Sequence, residues 1–210
     1  MTEKKLLYHI TDFSNMESIL QQGGLLANNL VREKGIEYKN VAHTNIQDRR
    51  LNKTVPLSPN GNLHDYVPFY FAPRSPMLYA ILKGRVKGYE EGQGKIIYLV
   101  SRIDLIRDAE LEFVYTDGHA IMDYSDFYKD FKDLDKIDWK LMEETYWQET
   151  PEDPNRKTRR QAEFLVHKNV QLEQILGFAV KSEKMKQRVE EIIHNYNCLK
   201  PVAVRRHWYF

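Results

Sequence analysis

The sequence predicts a mixed α+β fold with largely antiparallel sheets, in one domain spanning residues 1–210. Strand and helix signals interleave along the chain without the regular βαβ rhythm that a parallel sheet requires. At 210 residues, with 42% hydrophobic and 29% charged residues, the chain has the size and composition of one domain with a real core. It carries no repeat and no low-complexity segment.

Leu6–Ile10 is a short apolar strand bearing Tyr8 and His9. Ser14-Asn-Met-Glu17 has capping-box spacing and opens a helix through Ile19 and Leu20, which Gly23-Gly24 closes before Leu25 and Leu26 return to the core. From Asn28 to about Gly61 the chain is polar and weakly periodic, with a helical turn or two only at Asn45–Leu51; a loop that long in a compact domain points to function. Val67–Phe71 is an aromatic and β-branched strand. Ser75 as N-cap and Pro76 at the first helical position start a helix with Met77, Leu78, Ile81 and Leu82 inward, ended by Gly84. Lys95–Val100 is a strand, Ser101–Arg107 a short helix, and Glu112–Tyr115 a strand followed by an Asp117-Gly118 turn. Phe127, Phe131, Leu134, Ile137 and Leu141 predict one or two surface helices within Tyr124–Trp147. Thr150–Arg160 reads as an exposed loop and Ala162–His167 as a strand. Val170–Leu176 is ambiguous, and Gly177–Val180 is a strand. Ser182–Asn195 is an amphipathic helix with Met185, Val189, Ile192 and Ile193 inward, and Pro201–Tyr209 is a final edge strand.

The net charge of +1, from 31 basic and 30 acidic residues, selects no class of partner. Its distribution is more informative. Asp126–Asp153 holds ten acids and four lysines, whereas Arg156–Lys168 holds five basic residues around the single acid Glu163. Such a cluster is either a solvated surface or an anion site. One cysteine, Cys198, excludes an internal disulfide and a cysteine-based metal site. Met1-Thr-Glu-Lys-Lys5 leads into only a short apolar run, so neither a signal peptide nor a membrane span is expected, and the expected location is cytoplasmic.

The seven histidines are scattered without ligand spacing, so no metal is expected. Walker, dinucleotide-fingerprint and Gly-x-Ser-x-Gly signatures are absent. Three stretches remain. The strand, tight turn and helix N-terminus from Val67 to Tyr79 offer amides and ring faces suited to a flat polar ring such as nicotinamide or a base; an ordinary strand–turn–helix corner would read the same way. His9, on the first strand, reads alone as a satisfied structural histidine. Glu163, between Ala162 and Phe164 and near Arg159 and Arg160, is either a solvent-facing strand glutamate or a carboxylate held ionised by those charges. In the second case it could stabilise a sugar cation or orient a ribose hydroxyl.

Together these stretches resemble the ADP-ribosyltransferases of the His-Tyr-Glu type. Tyr8-His9-Ile-Thr11 with Ile19-Leu20 and Gly24-Leu25 resembles their first motif, with Ile10 in place of a glycine. Tyr70-Phe71-Ala72 with Ser75 and Tyr79 resembles the second, at shorter spacing than in poly-ADP-ribose polymerases, and Glu163 is the third. The chain is most similar to the DarT-type DNA ADP-ribosyltransferase toxins, through Ile46-Gln-Asp-Arg-Arg50, Val55-Pro-Leu57, Gly61–Met77 and Arg159–Val166.

The resemblance implies an ADP-ribosyltransferase-like split antiparallel β-sheet core with surrounding helices. It implies a toxin that transfers ADP-ribose from NAD+, as co-substrate and with no metal, to thymine N3 in single-stranded DNA, in a sequence-selective way. A macrodomain antitoxin, an ADP-ribosylhydrolase, would be its partner. By the same resemblance His9, Thr11, Gly24, Leu25, Tyr38, Tyr70, Ser75 and Tyr79 bind the co-substrate, and Glu163 stabilises the ribosyl cation. An arginine of the Gln-Asp-Arg-Arg motif, Arg49 or Arg50, acts at thymine; Arg49 is favoured. Arginine is effectively always charged, so its role is expected to be stabilising the thymine anion as the proton leaves. Arg74, Met77, Arg85, His119, Arg156, Arg159 and Arg160 are expected at the DNA, with the loop before Glu163 in the position of the target-recognition loop. RNA or protein as acceptor, and a non-catalytic NAD- or single-strand-binding module, are the alternatives.

Overall fold

The computed structural model describes residues 4–210. The part of the leader reading that rests on Met1, Thr2 and Glu3 lies outside the described residues. The described residues form ten strands: β1 (Leu6–Asp12), β2 (Gly24–Leu26), β3 (Tyr66–Tyr70), β4 (Ile96–Arg102), β5 (Phe113–Thr116), β6 (Phe127–Tyr128), β7 (Glu163–His167), β8 (Asn169–Gln171), β9 (Gly177–Val180) and β10 (Val202–Val204). Eight form one sheet in the order β10-β9-β4-β1-β3-β7-β5-β6, while β2 and β8 form a separate ribbon. Every pairing is antiparallel except β9 with the short edge strand β10.

The large sheet is continuous in name but weak at one seam. β1 pairs with β4 along its whole length, from Leu6↔Arg102 to Asp12↔Ile96, and β3 pairs with β7 from Tyr66↔His167 to Tyr70↔Glu163. Between β1 and β3 only Tyr8↔Tyr70 is in register. This is the split of the core, and it opens a cleft between the strand carrying His9 and the strands carrying Tyr70 and Glu163. Side chains alternate across β1, so Leu7 enters one apolar cluster and Tyr8 and Ile10 enter another. β4, between β9 and β1, is buried on both faces from Ile96 to Ser101.

The helices are α1 (Met16–Gln21), α2 (Asn28–Glu33), α3 (Thr44–Asn52), α4 (Pro76–Leu82), α5 (Ile103–Asp108), α6 (Trp139–Glu143), α7 (Arg156–Arg159) and α8 (Glu183–Asn195). α4 and α8 start at their expected caps: Ser75 accepts from the Leu78 amide and Ser182 from the Met185 amide. Leu82, expected inward, is exposed at the last turn of α4. α8 buries Met185, Val189 and Ile193.

Other elements depart from their signals for identifiable reasons. A 3-10 turn over Phe13–Asn15 precedes α1, so Asp12 replaces Ser14 as the cap, accepting from the Ser14 amide at 2.9 Å and its hydroxyl at 2.7 Å. α2 occupies part of the stretch expected to be loop. It has no side-chain cap and buries nothing, and it is held by polar bonds such as Asn29 Nδ2 to Asp65 at 2.7 Å, so no apolar period announces it. Phe131, Leu134 and Ile137 recur every three residues, and the structure there is a 3-10 turn over Phe131–Lys136, flanked by β6 and α6. The loop expected at Thr150–Arg160 ends in α7, and Arg160 is buried.

Candidate active site

The seam opens into a cavity of about 490 Å³ lined from both sides. His9 and Thr11 come from β1, Gly24 and Leu25 from the ribbon, Tyr38 from the loop after α2, and Arg49 and Arg50 from α3. Tyr70, Met77, His119 and Glu163 complete the set of expected residues around it. Eleven residues from eight separate elements and loops therefore surround one space.

Glu163 is the electrostatic centre. It opens β7 opposite Tyr70 and is 3% exposed. Arg50 Nη1 donates to its Oε2 at 2.7 Å, while His119 Nδ1 (3.2 Å) and the Ala120 amide (3.1 Å) lie against Oε1. Its own amide donates to Thr116 Oγ1. Burial by itself pushes a carboxyl up, but the charge and hydrogen bond of Arg50, together with His119, outweigh it and hold Glu163 at about 2. The carboxylate is ionised across the biological pH range. Arg50, not Arg159 or Arg160, supplies the holding charge.

His9 is kept neutral by burial, against the opposing pull of a 2.9 Å bond to the Pro68 carbonyl. That carbonyl only accepts, so Nδ1 carries the proton and Nε2 is an acceptor. Burial, with the Glu163 charge adding to it, pushes the Tyr70 hydroxyl well up, so it stays a donor. Arg50 Nη2 and His64 Nδ1 are buried without a hydrogen-bond partner in the protein, and both residues line the cavity. A polyhydroxylated ligand such as a ribose would supply what both atoms lack, so the residues present fit NAD+.

Two residues expected at the co-substrate stand apart from the cavity. Met77 and Ala80 put one face of α4 on it; Tyr79, two residues from Met77, lies about 200° around the helix and packs edge-on against Trp147 and Phe210. Ser75 is buried as the helix cap.

The basic cluster is largely spent on internal bonds. Arg159 donates to Asp138 (3.1 Å) and to both oxygens of Asp153, and Arg156 pairs with Glu144. Arg160, 3% exposed, bonds the carbonyls of Leu141, Glu144 and Pro73. Burial, together with the Arg74 charge, lowers its pKa to about 10. Arg85 is exposed away from the cavity. His119, expected at the DNA, is against Glu163. Arg49 is exposed at the cavity, donates weakly to the Ile121 carbonyl at 3.4 Å, and pairs with no carboxylate among the described residues.

Sequence reasoning missed Asn15, His64 and Lys157. Asn15 Nδ2 donates to Thr11 Oγ1 (2.8 Å) and to the Lys39 carbonyl (2.9 Å), while its Oδ1 accepts from the Lys39 amide (2.7 Å), tying the loop after α2 to β1. His64 bonds Gln47 of α3 at 2.9 Å and is held at about 4 by burial and by the charges of Arg50 and Arg32. Only long-range proximity marks these residues. Exposed Lys157 was legible as one of the cluster's charges.

A family model described as "ssDNA thymidine ADP-ribosyltransferase, DarT" matches residues 8–210. A DNA ADP-ribosyl transferase of Thermus sp. (strain 2.9) is 39% identical over 97% of this chain and 95% of its own. The solved structure of Thermus sp. 2.9 DarT in complex with ADP-ribosylated ssDNA superposes with a TM-score of 0.92 at 38% identity, covering 99% of this chain and 97% of the other; its NAD+ complex gives 0.88 at 36%, covering 99% and 98%. A fusion protein of Thermosipho africanus joins a DNA ADP-ribosyl transferase to a DNA ADP-ribosyl glycohydrolase; the match is 26% identical and covers 91% of this chain and 46% of the fusion. With a family model that matches nearly the whole chain, on the fold and around the residues described above, the chain belongs to the DarT family of single-stranded-DNA thymidine ADP-ribosyltransferases.

Proposed function

We propose that this protein transfers ADP-ribose from NAD+ to N3 of a thymine in single-stranded DNA, with release of nicotinamide. The observation that carries the reading is a buried glutamate, ionised by Arg50, at a cavity shared with His9 and Tyr70. NAD+ supplies a ribose–nicotinamide bond whose breaking places positive charge on the sugar. A fixed carboxylate, already ionised and desolvated, favours that charge without having to reorganise. His9 Nε2, Thr11 and the Tyr70 hydroxyl are the groups available to hold ribose and nicotinamide in line.

The two arginines divide the work. Arg50 is committed to Glu163 and is 8% exposed; Arg49 is exposed and without a carboxylate. Arg49 is the arginine positioned to meet the thymine and to stabilise its anion as N3 loses its proton and bonds to the ribose C1′. The neutral leaving group departs as nicotinamide, and the proton passes to solvent or a neighbouring base. The Thermosipho fusion supports a toxin whose product a glycohydrolase partner reverses, with a cytoplasmic site of action where NAD+ and DNA meet.

Incubating labelled NAD+ with thymidine-containing single strands, duplex, RNA and protein tests the proposal, with mass spectrometry locating the adduct. An ADP-ribosyl mass on thymine of the single strand is the expected result. Label only on RNA or only on protein would overturn it.

A further inference from the structure

One wall of the catalytic cavity is a loop with little to hold it. Ile36, Tyr38, Lys39, Val41 and His43 line the cavity, and from Ile36 to His43 only Val41 is buried. α2, which leads into the loop, buries nothing. The Ala42 amide turns back on the Asn40 side chain within the loop. Among the described residues, the backbone from Glu37 to Ala42 bonds the rest of the chain at one place only, the amide and carbonyl of Lys39. Both go to the side chain of Asn15.

Asn15 is 7% exposed and itself lines the cavity. The Lys39 amide can only donate, so the oxygen of the Asn15 carboxamide must face it, and Nδ2 faces the Lys39 carbonyl and Thr11. The two bonds to Lys39 grip the loop as the backbone of a paired strand would. The third bond sets a proton. Nδ2 has no lone pair to offer, so Thr11 Oγ1 accepts from it at 2.8 Å. The Thr11 hydroxyl proton meets no acceptor among the described residues, and Thr11 lines the cavity as a free donor. The Lys39 side chain is anchored separately. Its Nζ pairs with Glu91 and lies 5.6 Å over the ring of buried Tyr89, whose hydroxyl donates to Asp12 at 2.6 Å.

We propose that Asn15 is a positioning residue for the co-substrate: its carboxamide holds the 36–43 wall in the shape that takes NAD+, and it fixes the Thr11 hydroxyl as a donor to an acceptor oxygen of that ligand. The role deepens the NAD+-dependent reading above and rests on it. Asn15 acts before the chemistry. A loop that keeps its binding shape only about a tenth of the time lowers apparent affinity about tenfold and leaves the bound complex as it was.

The test measures Kd for NAD+ by calorimetry without DNA, hydrogen exchange of the Lys39 amide in the ligand-free protein, and kcat with a thymidine-containing single strand. Asn15→Leu, similar in shape but without polar atoms, is expected to raise Kd about tenfold, to speed that exchange about as much, and to leave kcat at saturating NAD+ within about twofold. Asn15→Asp keeps an acceptor for the Lys39 amide, so exchange there stays slow. It offers Thr11 only lone pairs, so the Thr11 hydroxyl turns its proton inwards, away from the ligand. Thr11→Val is therefore expected to weaken NAD+ binding in the wild-type background and to add nothing to Asn15→Asp. That comparison decides the matter even if Asn15→Leu does not fold. An unchanged Kd in Asn15→Leu, an equal cost of Thr11→Val in both backgrounds, or kcat lost at constant Kd would overturn the assignment. A wild-type protein that binds no NAD+ would remove the functional reading itself, whereas binding that the Asn15 variants leave untouched removes only the positioning role.

Discussion

Glu163 and Arg50 form a buried pair in which each depends on the other. Glu163→Gln keeps the shape and a polar end but removes the negative charge, and kcat is expected to fall by about 10²–10³ with little change in KM for NAD+. A fall in KM affinity alone, at constant kcat, would assign Glu163 to binding only. Removing Arg50 acts differently. In Arg50→Met the burial of Glu163 is no longer opposed by its main partner, so the carboxyl climbs from about 2 towards and beyond the ordinary carboxylate range. The wild-type rate should be flat from neutral pH down past pH 5 as far as Glu163 is concerned. The variant should gain activity as pH rises through the new, higher pKa, and a pH–rate profile without that acid limb would reject Arg50 as the group that holds the charge. The same shift bears on stability. A carboxyl depressed in the fold contributes stability above its unfolded value of about 4.3, and that contribution is lost as pH falls towards 2. His64, held at about 4, contributes above about 6.5 and loses it as pH falls to 4.

At the scale of elements, the site depends on close approaches that motif reading registers without explaining. Gly24 was expected at the co-substrate because the family motif has it. In the structure a Cβ there would meet the Val170 carbonyl oxygen at 2.2 Å and Gln171 Cα at 2.8 Å, both backbone, so the β2–β8 ribbon could not form as it does. Gly24→Ala is therefore expected to destabilise by about 2–3 kcal/mol and to raise KM for NAD+, read by thermal melting and by steady-state kinetics. A variant that melts with the wild type would contradict the close approach. This residue illustrates how legibility divides. Strands β1, β3, β4, β7 and β9 were readable from their short apolar runs, and helices α4 and α8 because a hydrophobic period and a serine cap coincide in each. α2 was not, since polar side-chain bonds hold it, and the Phe131–Ile137 run was misread because a period of three passes for helical over so short a span. The motifs pointed to eleven residues that the fold gathers at one cavity. Ser75 and Tyr79 stand apart from it, Ser75 as the helix cap and Tyr79 because turning a helix by two residues changes its neighbours. The basic loop was legible as charge but not as pairing: Asp138 and Glu144, which occupy Arg159 and Arg156, sit well upstream in the chain.

For the whole molecule, that pairing decides how the protein meets a polyanion. The near-neutral total conceals a distribution in which the densest basic stretch is internally neutralised or buried. Beside the catalytic cavity, a second one of about 420 Å³ is lined by Arg74 and Arg160. Among the described residues, the accessible cations around the two cavities that pair with no carboxylate are Arg49, Lys157 and Arg74, to which exposed Lys4 adds a weaker contribution at the second cavity, whereas Arg160 is buried against carbonyls. Each phosphate neutralised on a single strand contributes about −0.7 to the slope of log K against log salt. Three such contacts give a slope of about −2, much shallower than the whole basic cluster would produce. Stacking on ring faces and the thymine pocket must then carry the rest of the affinity, which persists in salt. Fluorescence anisotropy of a labelled thymidine-containing strand across a salt series measures this directly. A slope of about −3.5 or steeper would mean that Arg156 and Arg159 exchange their carboxylates for phosphates on binding, and that the acidic stretch from Asp138 to Asp153 is a displaceable stand-in for the strand.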